Sequence, residues 1–343
     1  MKKNNDKIFI DWNMGHLEIS PLGAMCGPVT FIFPNGKKIQ PFAIAPWNND
    51  NSKNYNRLPP VLKKLRGEWV CVPFGMPQPL KHLPEAWQPK FTKDSNYDNF
   101  FHGPSSNLEW KVMSRTNHAI TLRIDYPKAH SIHYVERSIT VKSNSTKLEF
   151  SLKVMPRFET SIPVGIHPVL KVPTTPQSTK LEVIGNTKVF TYPVDAEPNV
   201  SRIVNNQIFS NLEKVQTKSG HFVDLSLHPL IKKTEELVLI TNTDGSAKLT
   251  NFQEKYAVNL NWNKEHFPSV NLWISNRGRE FYPWMGEFQA LGIEPVCAPF
   301  DLGCEVANKR DNPLVVNGVK CVINLIANKL WKTFYSIEVV QIQ

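Results

Sequence analysis

The segment GIEP sets a single carboxylate, Glu294, between Ile293 and Pro295 at the end of the apolar run 288–293, with Trp273, Tyr282 and Trp284 upstream. Burying such an acid raises its pKa and favours the neutral form unless it is paired or used. Glu294 is therefore read in two ways, as a proton-transfer group or as a strand-end acid facing water or an arginine. His167 stands in a similar setting, between Ile166 and Pro168 with Gly165 before it. Imidazole changes charge near neutrality, so a presented His167 can deliver or take a proton, and a satisfied core histidine is the alternative. Two further groups have types suited to polar recognition. His102 precedes Gly103 at a loop start, and Arg66 precedes Gly67, where a planar fork of donors could meet hydroxyls or anions.

Composition narrows the chemistry. A chain of 343 residues with 41% hydrophobic residues is long enough for a large core. The net charge of +10 comes from scattered lysines, with pairs such as Lys37-Lys38, Lys63-Lys64 and Lys232-Lys233 beside turns or acids, so no nucleic-acid stripe forms. Five cysteines with no CxxC and no Cys/His pair at zinc spacing point to idle thiols, with neither a disulfide framework nor a metal. The start MKKNNDKIFIDWN lacks the apolar core of a signal peptide, and no run approaches membrane length, so a cytoplasmic setting without membrane partners is expected. No phosphate-binding glycine loop or nucleophile elbow occurs, and no cofactor is expected.

Short apolar segments bounded by Gly, Pro and Asn recur from one end to the other, with no helix of three turns announced in the first third. IFIDW, HLEIS and VTFIF open the chain, and Asn35-Gly36 marks a tight turn. The segments WKVMS, AITLRIDY, HYVERSITVKS and KLEFSLKVM form a meander in which Ile120, Leu122 and Ile124 alternate with Thr121, Arg123 and Asp125. Further strands are expected at LEVIG, KVFTYPV, ELVLITNT, AKLTNF, YAVNLNW, VVNG, KCVINLIAN and FYSIEVVQI, with Asp244-Gly245 as another turn. The Asn- and Pro-rich stretches 46–60 and 75–98 read as surface loops. So many strands without intervening helices predict an all-β protein, a large antiparallel sandwich in one domain over 1–343.

In this order, Arg66-Gly67 with Pro73-Phe74-Gly75, His102-Gly103 with Trp110, Gly165-Ile166-His167-Pro168 and Gly292-Ile293-Glu294-Pro295, the chain resembles the aldose 1-epimerase and hexose mutarotase superfamily. The spacing, 65 residues between the histidines and 127 from His167 to Glu294, is similar too. The resemblance implies a galactose-mutarotase-like supersandwich with a sugar groove on one sheet. It implies Glu294 as general base on the anomeric hydroxyl, His167 as general acid on the ring oxygen, and His102 and Arg66 as ligands to the sugar. The family also places an Asp between its His and Glu, for which Asp224 is preferred here and Asp195 is the alternative.

The expected activity is therefore interconversion of the anomers of a hexose or related sugar. A sugar-binding protein without turnover and a mutarotase for a phosphorylated hexose are the competing readings, and a monomer or homodimer is expected.

Overall fold

The computed structural model describes residues 8–89 and 99–343; the end of the expected 75–98 loop and the first seven residues lie outside them. Among the described residues, a sheet of 15 strands dominates. Its backbone of neighbours begins at Val70–Cys71 and passes through Val164–Ile166, Gln289–Cys297, Ser269–Asn276, Thr234–Asn251, Tyr256–Trp262 and Trp331–Gln341. From there it follows Lys147–Pro156, Ile132–Val141, Ala119–Asp125 and Lys111–Arg115, every pair antiparallel. A four-stranded sheet, Ile8–Trp12, Gly15–Ile19, Cys26–Ile32 and Lys38–Ile39, packs its Leu17, Ile19, Val29 and Phe31 into the same core. This is the expected antiparallel β-sandwich.

Three of the four meander strands alternate as read, and Lys111–Arg115 at the sheet edge is exposed throughout. Lys147–Pro156 and Ala119–Asp125 bury every second residue, because one face meets the core and the other meets water. The central strands behave differently. Ser269–Asn276 is buried at all eight positions, since both of its faces are covered. Val270, Leu272 and Ile274 join the main core, whereas Trp273 joins a second apolar cluster built around Trp47, Trp69, Phe74, Trp284 and Phe300. That second layer is where a site can be enclosed.

Four expectations are corrected. Asp244-Gly245 does not turn the chain back: the segments on either side form one strand, Thr234–Asn251. Gly245 has φ +79° and Asn242 φ +57°, so the twist is absorbed locally. The first half of the strand pairs with Ser269–Asn276, the second with Tyr256–Trp262, and Thr179–Thr191 runs along the other edge. LEVIG and KVFTYPV likewise merge into Thr179–Thr191 across register shifts at Gly185. VVNG is not a strand. Asn312 caps the first turn of a helix, Pro313–Val316, by accepting from the Leu314 and Val315 N–H groups, and a strong local cap outweighs β-branched propensity there. The 46–60 stretch is also more than a surface loop, since Trp47 is buried against Trp284 with ring centroids 4.7 Å apart.

The deepest polar contact crosses the sandwich. Arg137 and Glu68 are both fully buried and 2.5 Å apart. Glu68 also accepts from the Tyr335 hydroxyl at 2.6 Å, and Arg137 donates to the Ala24 carbonyl at 3.2 Å. Removing one partner of such a pair strands the other charge without water. Arg137→Met should therefore cost about 3–5 kcal/mol of unfolding free energy in a denaturant titration, far more than loss of the half-exposed pair Lys142–Glu149.

Candidate active site

Strand periodicity builds the site. On Gln289–Cys297, Leu291 and Ile293 point into the main core, so Gly292 and Glu294 face the second layer. On the neighbouring strand, Asn271, Trp273 and Ser275 share that face, and the register sets Asn271 opposite Glu294 and Trp273 opposite Gly292. The Asn271 amide consequently donates to Glu294 Oε2 at 2.8 Å. A Cβ at position 292 would collide with Glu294 Oε1, so the glycine supplies the room for the carboxyl.

His167 sits between the short strands Val164–Ile166 and Val169–Lys171, which both pair with Gln289–Cys297. Its backbone N–H donates to the Trp69 carbonyl at 2.8 Å, and the Trp69 ring stacks on the imidazole at a centroid distance of 4.0 Å. The Ile293 N–H donates to the Pro168 carbonyl at 3.0 Å, tying the two motifs together. These supports hold His167 Nε2 3.3 Å from Glu294 Oε1.

His102 adopts φ +61°, a left-handed conformation uncommon for a residue with a side chain, at the start of the helix Gly103–Asn107. Its Nδ1 accepts from the Gly75 N–H at 3.0 Å, so its proton resides on Nε2. The His102 and His167 rings meet edge to face at 5.2 Å.

These groups border a cavity of about 690 Å³ with Trp69, Tyr192, Asp195, Glu235, Asn271, Trp273, Arg279, Trp284 and Asp301 among its walls. Burial pushes the His167 imidazole down to about 3 and the Glu294 carboxyl well up, although the Asn271 amide pulls the latter back. Both shifts have one physical content. The enclosure disfavours isolated charge, so the pair favours states that carry one dissociable proton between them. Desolvation likewise lowers His102.

Not every expected residue arrives here. Arg66 is buried elsewhere: it donates to the Lys64 and Gly27 carbonyls at 3.1 and 3.2 Å, contacts Glu18 at 3.4 Å and bonds Asn48. Its fork is consumed in joining the first sheet to the 46–60 stretch. Asp224 is also remote from Glu294, accepting from the Ser226 N–H and hydroxyl at 2.8 and 2.7 Å beside a separate cleft. Asp195 does border the cavity, where Lys218 and Asn205 hold it at 2.5 and 2.7 Å. The acids that sequence reading missed are Glu235, Glu236 and Asp301. Period-2 reading of SVNLWIS would have put Asn271 beside Trp273 and Ser275, but nothing in the text marks Glu235 or Asp301 as inward-facing.

No family model matches this sequence, and no curated protein does. Solved structures do. The Slr1438 protein of Synechocystis sp. PCC 6803 superposes with a TM-score of 0.65 at 12% identity, over 98% of this chain and 96% of that one. An aldose epimerase homologue from C. elegans gives 0.63 at 13% identity, over 98% and 100%. A galactose mutarotase-like protein from Clostridium acetobutylicum gives 0.58 at 14%, over 98% and 95%. The chain thus has the galactose mutarotase-like fold.

Burial has a measurable consequence for three histidines, because His228 is also pushed down, to about 4. Each folded-state pKa lies below that of the unfolded chain, so each of these groups subtracts stability as the pH falls below about 6.5. At pH 5 the ¹⁵N imidazole shifts of His102, His167 and His228 should be those of neutral rings. A charged ring at His167 at that pH would contradict the burial argument.

Proposed function

We propose that this protein is a mutarotase of the aldose 1-epimerase type, interconverting the α and β anomers of an uncharged hexose or related sugar. The observation that carries the reading is the buried His167–Glu294 contact at 3.3 Å on the wall of an aromatic-lined cavity. The neighbours described as an aldose epimerase homologue and a galactose mutarotase-like protein support it at the level of fold.

Ring opening needs one proton removed and one delivered. Glu294 takes the proton from the anomeric hydroxyl, whose O–H electrons form the new C1=O1 bond. The C1–O5 pair moves onto O5, which takes a proton from His167. Rotation about C1–C2 exposes the other face of the carbonyl, and the same two transfers run backwards to close the ring. At rest the pair is carboxylic acid and imidazole; a proton passing from Glu294 to His167 across their 3.3 Å contact gives the carboxylate and imidazolium that open the ring, and opening returns the pair to carboxylic acid and imidazole. Both states hold one proton, so the cycle exchanges none with solvent, and burial that favours one-proton states suits it. Stacking of Trp69 on His167 stabilises the imidazolium when it forms. His102, with its Nε2 proton, is placed to donate to a sugar oxygen.

The lining also favours an uncharged substrate. Five carboxyl groups border the cavity, from Asp195, Glu235, Glu236, Glu294 and Asp301, against the cations Lys81 and Arg279. Arg279 is already committed to Glu197 at 2.7 Å and Glu235 at 3.6 Å. A phosphate would bring charge into an enclosure whose burial already pushes four of these carboxyls up, with Arg279 committed elsewhere.

Polarimetry on freshly dissolved α-aldoses should show faster decay of rotation with the protein. Glu294→Gln and His167→Ala should each lower the rate by about two to four decades while leaving the thermal transition in place. No acceleration with any sugar of a broad panel would sink the assignment. In the same assay a hexose should be preferred over its phosphate ester; the reverse preference would overturn the charge argument.

A further inference from the structure

Asp301 is the least expected carboxyl in the cavity. It follows the strand that carries Glu294, in the sequence PFDLG, and its placement is over-determined. Phe300 takes φ +52° while fully buried between Trp87 and Tyr192, at centroid distances of 5.8 and 5.3 Å. The Met76 N–H donates to the Asp301 carbonyl at 2.7 Å, and Gly75 passes so close that a Cβ there would strike that same carbonyl. A buried aromatic residue in the left-handed region is local strain, and strain of this kind collects where a side chain must be aimed.

The aim is into the cavity. The Tyr192 hydroxyl donates to Asp301 Oδ1 at 2.8 Å, and no other residue's side chain bonds the carboxyl among the described residues. The other wall acids are differently disposed. Glu235 Oε1 takes the Ser275 hydroxyl at 2.8 Å, and its Oε2 faces the Trp273 indole at 3.4 Å and Arg279 at 3.6 Å. Glu236 accepts from the Arg202 and Ile203 N–H groups at 2.6 and 3.4 Å, and Asp195 is held by Lys218. Glu294 is occupied by Asn271 and by the chemistry. Asp301's own backbone N–H is the carboxyl's other partner, and the lone pairs that remain on its two oxygens can accept a donor from the cavity.

We infer that Asp301, oriented by Tyr192, accepts a hydrogen bond from one non-anomeric hydroxyl of the sugar and sets which hydroxyl pattern the cavity takes. This rests on the sugar-binding part of the function proposed above, not on turnover. A buried acceptor left empty by a substrate lacking that hydroxyl remains unsatisfied, and sites built this way discriminate strongly against the analogue. The role belongs to recognition: Asp301 touches substrate but takes no proton in the ring-opening step.

The test uses methyl glycosides, which have no anomeric hydroxyl and do not turn over, so binding is read apart from catalysis. A panel of methyl hexopyranosides and the monodeoxy analogues of the best binder are titrated calorimetrically into the wild-type protein and into Asp301→Asn, Asp301→Glu and Tyr192→Phe. The expected result is one deoxy position at which wild type loses about tenfold or more in affinity, with Asp301→Asn binding parent and analogue within about twofold of each other. Asp301→Glu, which keeps the charge but moves it by one methylene, should shrink the same discrimination and serves if the asparagine variant does not fold. Tyr192→Phe should weaken the parent and keep the preference. Discrimination unchanged in both Asp301 variants overturns the inference, as does wild type that binds no glycoside or distinguishes no deoxy analogue. Mutarotation that persists with unchanged discrimination removes the Asp301 role alone. Absent mutarotation with the discrimination intact removes the enzymatic reading and leaves Asp301 in place.

Discussion

An arginine with no access to water makes demands on everything around it. Arg137 on Ile132–Val141 is fully buried, and the Glu68 carboxylate answers its charge with help from Tyr335 on Trp331–Gln341. Such a pair is not itself a large source of stability, because desolvation consumes much of the attraction. Its value is positional. Glu68 directly precedes Trp69, whose carbonyl and ring both hold His167. The salt bridge at the centre of the sandwich thereby fixes the segment on which the imidazole is mounted.

From that anchor the site is a consequence of pleat and register. Glu294, Asn271, Trp273 and Ser275 share a face because they lie at alternate positions on paired strands, and Gly292 is bare because the carboxyl occupies the space of a side chain. The sheet is rigid here since its central strands are covered on both sides. The candidate site thus sits on strands covered on both faces, with Pro59, Val61, Leu62 and Leu65 and with Met76, Leu80, Lys81 and His82 on the cavity wall. This arrangement suits proton transfer, in which a few tenths of an ångström decide whether two heavy atoms can share a hydrogen.

The fold was largely legible because it is written in short-range terms: alternation in AITLRIDY and KLEFSLKVM, punctuation by Asn-Gly, and the absence of helical periodicity. Errors fell where local signals compete with long-range pairing. Asp244-Gly245 has turn chemistry but lies where one strand serves two neighbours, and a cap at Asn312 overrode the strand-like VVNG. In the site, His167, His102 and Glu294 were legible as polar residues in apolar or glycine-flanked settings. Arg66 and Asp224 looked equally suitable, but a side chain's destination depends on partners far away in the chain, Glu18 and Asn48 for Arg66, a local serine turn for Asp224. Asp301 and Glu235 were invisible for the converse reason. Nothing local distinguishes an acid turned inward by Tyr192 or Ser275 from one facing water.

The indoles of Trp69, Trp273 and Trp284 form part of the cavity wall, three of nine tryptophans in the chain. Such rings emit light whose colour and yield follow the polarity of their surroundings. The pocket therefore carries its own optical gauge: whatever displaces solvent from it alters the medium of a third of the molecule's principal fluorophores, without any label being attached.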